Sequence, residues 1–294
     1  MKVLVTGATG FVGGHLANYL ASQGHKVFAL GRKASLDTCE SLDESVEKVG
    51  LEESMQSQAL LDIVRSLEIE VVYHAATLFL KTHNIGDVGP LVESNLKFGI
   101  NLAEAASMAG VKTFVNFSSV WQLKQRGAHE SQKTLYAATK QAFLEVLKFY
   151  AFSSGPRVVN IYLNDTFGAN DNRAKLVPAI RKAIVDSQSF RAINPGARIN
   201  LSLVDDVVET VAELARNSVQ EFAEFEIRSE RSYNISEIVQ AMERVSGCQL
   251  DFQSGAFLEE AADDSQLEGH PSSVKTVLLK RSFEDGLLQA NMFR

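Results

Sequence analysis

A short β-branched run, Val3-Leu4-Val5-Thr6, leads into glycines at Gly7, Gly10 and Gly13 and then into an apolar helical pattern from Phe11. No other stretch restricts the chain as much, because strand, tight turn and helix in that order open an α/β unit. In such a unit the first glycine makes the sharp turn. The second lets backbone N–H groups approach phosphate oxygens, and the third lets the helix pack close to its strand. The phosphates then meet the positive end of the helix. The loop is therefore expected to hold a dinucleotide through Gly7, Thr9, Gly10, Phe11, Val12 and Gly13. A plain structural turn could use the same glycines, but it would not need a strand before them and a helix after.

The chain of 294 residues is long enough for one large α/β unit or for two domains. A net charge of -7 argues against a nucleic-acid backbone as partner, since binders of that polymer concentrate positive charge. Cys39 and Cys248 stand far apart with no C-x-x-C spacing, so neither a disulfide framework nor a metal site is expected, and both read as free thiols. The N-terminal apolar run breaks at Thr6-Gly7, too early for a signal-peptide core. The run from Val71 to Leu80 is too short to cross a bilayer and contains His74. A cytoplasmic protein without a membrane partner is the expectation.

A second buried strand is expected at Lys26-Val27-Phe28-Ala29-Leu30, and its end bears on the cofactor. A carboxylate here would accept hydrogen bonds from the adenosine ribose, whereas an arginine accommodates a 2′-phosphate. The chain has Gly31-Arg32-Lys33 and no acid before Asp37, which favours NADP over NAD, with Arg32 as the residue concerned. Residues 34–56 are polar and hard to assign, apart from a short strand at Val46 to Leu51; a helix is expected from Ser57 to Leu67. The next strand ends in His74-Ala75-Ala76, and small Ala75 and Ala76 let the backbone come near a cofactor. His74 reads as a hydrogen-bonded structural histidine rather than a catalytic one. A helix from about Val88 to Ala109, with Leu91, Asn95, Ile100, Leu102 and Ala106 facing inward, precedes a strand from Val111 that ends at Ser118-Ser119. This alternation predicts a Rossmann-type, doubly wound parallel sheet with helices on both faces.

Tyr136 and Lys140 lie four residues apart in a helix running to about Phe152, hence on one face. A phenol titrates near pH ~10, and a nearby ammonium favours its phenolate, moving it toward proton transfer at neutral pH. Y-x-x-x-K alone matches many helices; after a Ser-Ser strand end and the glycine loop it reads as a catalytic set. Ser119 is the candidate third member, hydrogen-bonding a substrate carbonyl. Ser118 is its rival, because neighbouring strand residues point to opposite faces.

Thr6-Gly7-x-x-Gly10-x-x-Gly13, His74-Ala75-Ala76, Asn95, Ser118-Ser119, Tyr136 and Lys140 together resemble the extended short-chain dehydrogenases, the nucleotide-sugar epimerase/dehydratase group. Asp165-Thr166-Phe167-Gly168 through Arg173, and Arg198 through Val204-Asp205-Asp206-Val207, resemble that family's second half, as does Phe283-Glu284-Asp285-Gly286-Leu287 its closing helix. Ser119-Val120-Trp121-Gln122, with Leu135 to Phe143 and Asp165 to Gly168, looks most like sugar-nucleotide 4-ketoreductases of the CDP-abequose synthase type. The Asp-Glu pair that 4,6-dehydratases carry after their catalytic Thr is missing, and the V-Y-G and F-N of epimerases are replaced.

The resemblance implies a Rossmann domain over 1–163, to which 199–217 return, and a smaller C-terminal α/β substrate-binding domain over 164–294. It adds Asn95 to the cofactor-binding residues, with Tyr136 and Lys140 also touching the cofactor. Asp165, Arg173 and Arg198 become substrate-binding candidates; Lys175 joins the two arginines as a partner for a diphosphate. Asp205-Asp206 reads as a cap on a helix from Val207 to Arg216 rather than a metal site. The expected activity is NADP(H)-dependent reduction of the keto group of a nucleotide-activated deoxysugar. The alternatives are an epimerase that retains NAD and a non-catalytic NAD(P)-binding sensor or scaffold. A homodimer through helices 88–109 and 136–152 is implied as well.

Overall fold

A computed structural model describes residues 1–51, 57–123, 125–126, 129–132, 134–192, 196–254 and 271–293. In chain order the first half comprises β1 (Lys2–Thr6), α1 (Phe11–Ser22), β2 (Lys26–Arg32), α2 (Lys33–Asp37), β3 (Glu47–Leu51), α3 (Ser57–Ser66) and β4 (Val71–His74). It continues with α4 (Val88–Val92), α5 (Phe98–Ala109), β5 (Thr113–Ser119), the short pair β6 (Gln125–Arg126) and β7 (His129–Gln132), α6 (Leu135–Phe152) and β8 (Arg157–Leu163). The second half comprises β9 (Asp165–Phe167), α7 (Leu176–Val185), β10 (Phe190–Ala192), β11 (Arg198–Leu203), α8 (Val204–Asn217) and β12 (Phe222–Ser229). Last come β13 (Ser232–Asn234), α9 (Ile235–Ser246), β14 (Phe252–Ser254), β15 (Val274–Leu279) and α10 (Phe283–Gln289).

Two compact units result. The first holds 1–163 together with 208–226 and 271–275; the second holds the described residues of 164–207, 227–270 and 276–294. The main sheet has the order β3-β2-β1-β4-β5-β8-β12-β15. The chain starts in the middle, winds outward one way through β2 and β3, and then restarts beyond β1 with β4. That reversal is the topological switch point at which α/β sheets bind ligands, outside the carboxyl ends of their strands. From β3 to β8 neighbouring strands pair in parallel. Parallel strands covered on both faces read as nearly unbroken apolar runs, as in Val71-Val72-Tyr73, while Thr113 to Ser118 buries Thr113, Asn116 and Ser118 along with its apolar residues. The core under α3, α5 and α6 is built from Leu4, Val72, Phe114 and Val158 on the strands and Leu60, Leu102, Phe143 and Leu147 on the helices.

The second unit has its own core, in which Phe167, Leu201 and Leu203 meet Ile180, Ile238, Met242, Phe283 and Leu287. A three-stranded sheet, β13-β11-β9, carries it, with β11 parallel to β9 and antiparallel to β13. Strand β11 pairs with β9 and β13 in the second unit, and the segment that returns to the first unit is 208–226 rather than 199–217. Residues 34–56 contain α2 and β3; 52–56 lie outside the described residues.

Two helices depart from the sequence expectation. The 88–109 helix is interrupted by a π turn over Glu93–Lys97, where the wider turn carries Asn95. Helix α8 starts at Val204, so Asp205 and Asp206 lie inside its first turn, where carboxylates complement the positive helix end, instead of capping it from outside. Asp206 also pairs with Arg281 at 2.8 Å. Cys39 and Cys248 are both free. Among the described residues no helix is long and apolar enough to cross a membrane.

Candidate active site

Gly7 adopts φ +70°, a conformation L side chains rarely take, and a Cβ there would lie 2.6 Å from Ala76 N and 2.7 Å from the Ala75 carbonyl carbon. The glycine loop and the Ala75-Ala76 backbone at the end of β4 are thus in contact, with no room between them for a side chain. Gly10 donates its N–H to Gly7 O at 2.9 Å and then serves as the N-cap of α1. No side chain caps that helix and its first turn carries no acid, so the start of α1 keeps the character of an anion site. Thr9 and Gly10 are exposed there, while Phe11 and Val12 are half-buried. A dinucleotide pyrophosphate fits this cradle.

Thr6 and His74 hold the floor. The Thr6 hydroxyl meets His74 Nδ1 at 2.9 Å and accepts the Ala76 N–H at 3.2 Å. His74 is packed against the rings of Phe98, Phe114 and Phe143. Burial, reinforced by the nearby charge of Lys140, pushes its pKa down to about 3, so the ring stays neutral and structural. Arg32 is exposed at the end of β2, and the adjacent Lys33 pairs with Asp37.

Asn95 faces inward from the π turn and clamps the loop after β4. Its amide donates to Leu78 O at 3.0 Å, and its oxygen accepts the Leu78 N–H at 2.7 Å and the Thr77 hydroxyl at 3.0 Å. These bonds hold the backbone of the loop that follows β4.

Thr134 caps α6 by accepting the Ala137 N–H at 3.1 Å, which fixes the first turn that carries Tyr136. One turn on, Lys140 is buried and donates from Nζ to Phe117 O at 2.6 Å. Burial lowers its pKa to about 8. That bond ties the lysine to the strand end two residues before Ser119. The two serines differ. Ser118 is buried and donates to Asn160 Oδ1 at 2.7 Å inside the sheet, whereas Ser119 is half-buried and starts a 3-10 turn over Val120–Gln122. Ser119 Oγ accepts the Trp121 N–H at 3.3 Å, Gln122 returns a bond to the Ser119 N–H at 2.9 Å, and Gln122 donates to Gln141 on α6. The turn also lays Trp121 against Tyr136, with ring centroids 6.3 Å apart. Ser119, Tyr136 and Lys140 are therefore gathered where β5 ends against the start of α6, and Ser118 is committed elsewhere.

The sequence offered no sign of Phe79. Its ring lies 5.0 Å from Tyr136 and 5.4 Å from Trp121, centroid to centroid. Only its place just beyond the small residues that end β4 could have drawn attention to it.

In the second unit, Arg173 holds Asp171 through two bonds of 2.7 Å and donates to Thr166 O. Lys175 pairs with Asp165 at 3.1 Å. Arg198 donates to Ser232 O and lies 4.0 Å from Glu237. Each of these cations thus has a partner in the protein. Asp165, Arg173 and Lys175 share one segment, while Arg198 opens the neighbouring strand β11. Among the described residues no group of three or more acidic, His or Cys side chains could hold a metal ion.

A parallel sheet with this strand order, a glycine cradle at its switch point and a Tyr-Lys pair beside it define a nucleotide-dependent oxidoreductase class. The chain belongs to the NAD dependent epimerase/dehydratase family, whose model matches residues 3–235, and is an enzyme of that NAD(P)-dependent type. Its relatives include the CDP-abequose synthase of Yersinia pseudotuberculosis, 22% identical over 260 residues that span 87% of this chain and 89% of the relative. That of Salmonella muenchen is 23% identical over 276 residues, 92% and 89% of the two chains. Among solved structures, the UDP-glucose 4-epimerase of Thermotoga maritima with UDP-glucose superposes with a TM-score of 0.81 at 17% identity, covering 100% of this chain and 98% of the other. The Thermus thermophilus UDP-glucose 4-epimerase in complex with NAD gives 0.78 at 21%, covering 100% and 99%. At these identities the solved structures establish the fold.

Proposed function

We propose that the protein is an NADP(H)-dependent reductase of the keto group of a nucleotide-activated deoxysugar. The observation that carries this reading is the gathering of Ser119, Tyr136 and Lys140 at the end of β5, with Lys140 buried and bonded to Phe117 O. The likeness to CDP-abequose synthases supports the substrate class. When bound, the cofactor supplies a hydride from its nicotinamide C4. Gly7, Thr9, Gly10, Phe11, Val12 and Gly13 would hold the cofactor, Arg32 would pair with a 2′-phosphate, and the small Ala75 and Ala76 would let the backbone approach it. The Ser119 hydroxyl donates to the ketone oxygen and Tyr136 delivers the proton that converts that oxygen to a hydroxyl. The Lys140 ammonium favours the phenolate that remains. Asp165, Arg173 and Arg198 bind the nucleotide sugar, and a diphosphate at Arg173 competes with Asp171 for the guanidinium.

Purified protein given a panel of nucleotide-linked 4-keto-6-deoxyhexoses should consume one NADPH per alcohol formed, followed by loss of 340 nm absorbance. The named activity of the structural neighbours favours an epimerase as the second reading. Turnover of a 4-hydroxy nucleotide sugar without net cofactor change would establish it and remove the reductase. Cofactor choice has its own test. Arg32→Ala should raise KM for NADPH about tenfold or more while leaving KM for NADH unchanged, because one charge-assisted phosphate contact contributes roughly 1.5–3 kcal/mol. Equal effects on both cofactors would place Arg32 outside the site.

Exposed apolar side chains on the two long helices, Met108 on α5 and Phe149 and Phe152 on α6, support a homodimer through them. Sedimentation at micromolar concentration should show a dimer; a monomer throughout rules the interface out.

A further inference from the structure

We infer that Asn116 and Asn160 hold an internal water molecule under α6, and that this water accepts a hydrogen bond from the Lys140 ammonium. Its consequence for turnover rests on the reading of Tyr136 and Lys140 as a catalytic pair; the water site itself does not. Strands β1, β4, β5 and β8 pair in register, which sets Leu4, Val72, Phe114 and Val158 side by side. These four belong to the core under α3, α5 and α6. Two residues further along each strand, and so on the same face, stand Thr6, His74, Asn116 and Asn160. None of them is more than 1% exposed. An apolar layer thus gives way to a wholly polar one with no access to solvent, which is costly unless every polar group finds a partner.

Thr6 and His74 serve each other. The two asparagines do not complete their bonds. Asn116 Nδ2 donates to Asn160 Oδ1 at 2.8 Å and to Ser118 Oγ at 3.2 Å, and Ser118 donates to the same Asn160 Oδ1 at 2.7 Å. Asn116 Oδ1 and Asn160 Nδ2 are buried with no hydrogen-bond partner. Turning both amides over exchanges the atoms and still strands one acceptor and one donor, while turning one over sets like atoms against each other. A water molecule is the smallest ligand that answers both, giving a proton to the carbonyl oxygen and taking one from the amide N–H.

Lys140 supplies the third partner. Its ammonium has three donors, and one goes to Phe117 O, the carbonyl between Asn116 and Ser118. Asn116 and Ser118 lie on the face that α6 covers, and Lys140 reaches the strand from that side. Burial is what acts on its charge, and no carboxylate offsets it. The titratable groups around it are otherwise engaged. His74 on β4 is neutral, and Tyr162 on β8 keeps its proton, which it donates to Glu224 Oε1 on β12 at 2.7 Å. Ser273 takes the other oxygen of Glu224, and Glu145 on α6 is exposed. Tyr136, one turn away, is the remaining neighbour. An acceptor beside a buried ammonium favours its charged form, so the water keeps Lys140 protonated where burial would discharge it.

A high-resolution crystal structure of the unaltered protein should show one water within hydrogen-bond reach of Asn116 Oδ1, Asn160 Nδ2 and Lys140 Nζ. In solution, Lys140 is titrated by NMR on protein carrying 13C at lysine Cε, with the signal assigned through Lys140→Arg. The double variant Asn116→Leu, Asn160→Leu replaces both amides by apolar groups of similar size, a change the fold tolerates better than the loss of one partner. It should exclude the water and lower the Lys140 titration by about one pH unit, because the ammonium loses a charge-assisted bond. Ser118→Ala cuts the row but leaves both stranded atoms in place, and should leave that titration where it is. The alkaline fall of kcat should shift to lower pH with Lys140 in the double variant, a movement that a purely structural role would not produce. Density without the water, or a Lys140 titration that the double variant leaves unmoved, overturns the inference; if that variant does not fold, the density decides. A Lys140 titration that shifts as expected in a protein that reduces no nucleotide-sugar ketone upholds the water and overturns the ketoreductase reading.

Discussion

Tyr136→Phe should lower kcat by about a thousandfold, the middle of the range for a positioned general acid, while NADPH binds within twofold of its original affinity. The substitution removes one oxygen and little else. Tyr136 is buried against Phe79 and Trp121 through its ring, and a phenylalanine ring keeps both edge contacts. The melting temperature should therefore stay within a few degrees. Ser119→Ala should cost less, about a hundredfold, because it removes one donor to the carbonyl oxygen and leaves the proton source in place. Stopped-flow oxidation of NADPH under single-turnover conditions separates these outcomes from any change in cofactor release. Undiminished turnover in Tyr136→Phe would exclude the proposed proton transfer outright.

What could be read in the sequence is what neighbours along the chain decide. The β1-loop-α1 unit was legible because its chemistry is local: turn, cap and close packing fall within one short run of residues. The Tyr136-Lys140 spacing was legible for the same reason, since a helix puts fourth neighbours on one face. Ser118 and Ser119 could not be told apart, because strand alternation gives two faces without saying which is which. The partner that decides it, Asn160, comes from β8. The π turn was invisible to a reading that assumes an α-helical period from Val88 to Ala109. With it went the partners of Asn95, which are backbone groups of a loop on another element.

Phe79 shows the same limit from the other side. Nothing in Thr77-Leu78-Phe79-Leu80 marks one residue as different, and its meaning comes from Trp121 and Tyr136, both distant in sequence. The arginines of the second unit show that even local partners can be passed over. Asp171 stands two residues before Arg173 and takes both of its short bonds, yet the motif alone directs attention to a ligand. A cation that already holds a carboxylate is still a site for a diphosphate if the ligand's own contacts offset the displacement. Arg173→Ala should for that reason be judged by substrate affinity and by stability together.

Gly13→Ala should abolish dinucleotide binding, with a loss of a hundredfold or more, and lower the melting temperature. A Cβ at Gly13 would stand 2.2 Å from Gly7 O, 2.6 Å from the Gly7 carbonyl carbon and 3.1 Å from Ala8 N. All three are backbone atoms of the loop itself, so no rotamer change can make room. Relief requires the loop to move off the helix, which also carries it away from the geometry in which its N–H groups face the phosphates. Alanine is the better helix former by about 1 kcal/mol, and overpacking of a tight contact costs roughly 1–3 kcal/mol, so the clash wins. In a unit of this size each kcal/mol lost moves the melting point by about 2–4 °C. Gly89→Ala supplies the control, because that glycine lies in α4 with nothing within 4 Å of an added Cβ. It should leave NADPH affinity unchanged and hold or raise the melting temperature. Calorimetric titration of NADPH into both variants, beside their melting curves, decides the matter. A Gly13→Ala protein that binds NADPH as the unaltered chain does would mean that the phosphates are held somewhere other than this loop.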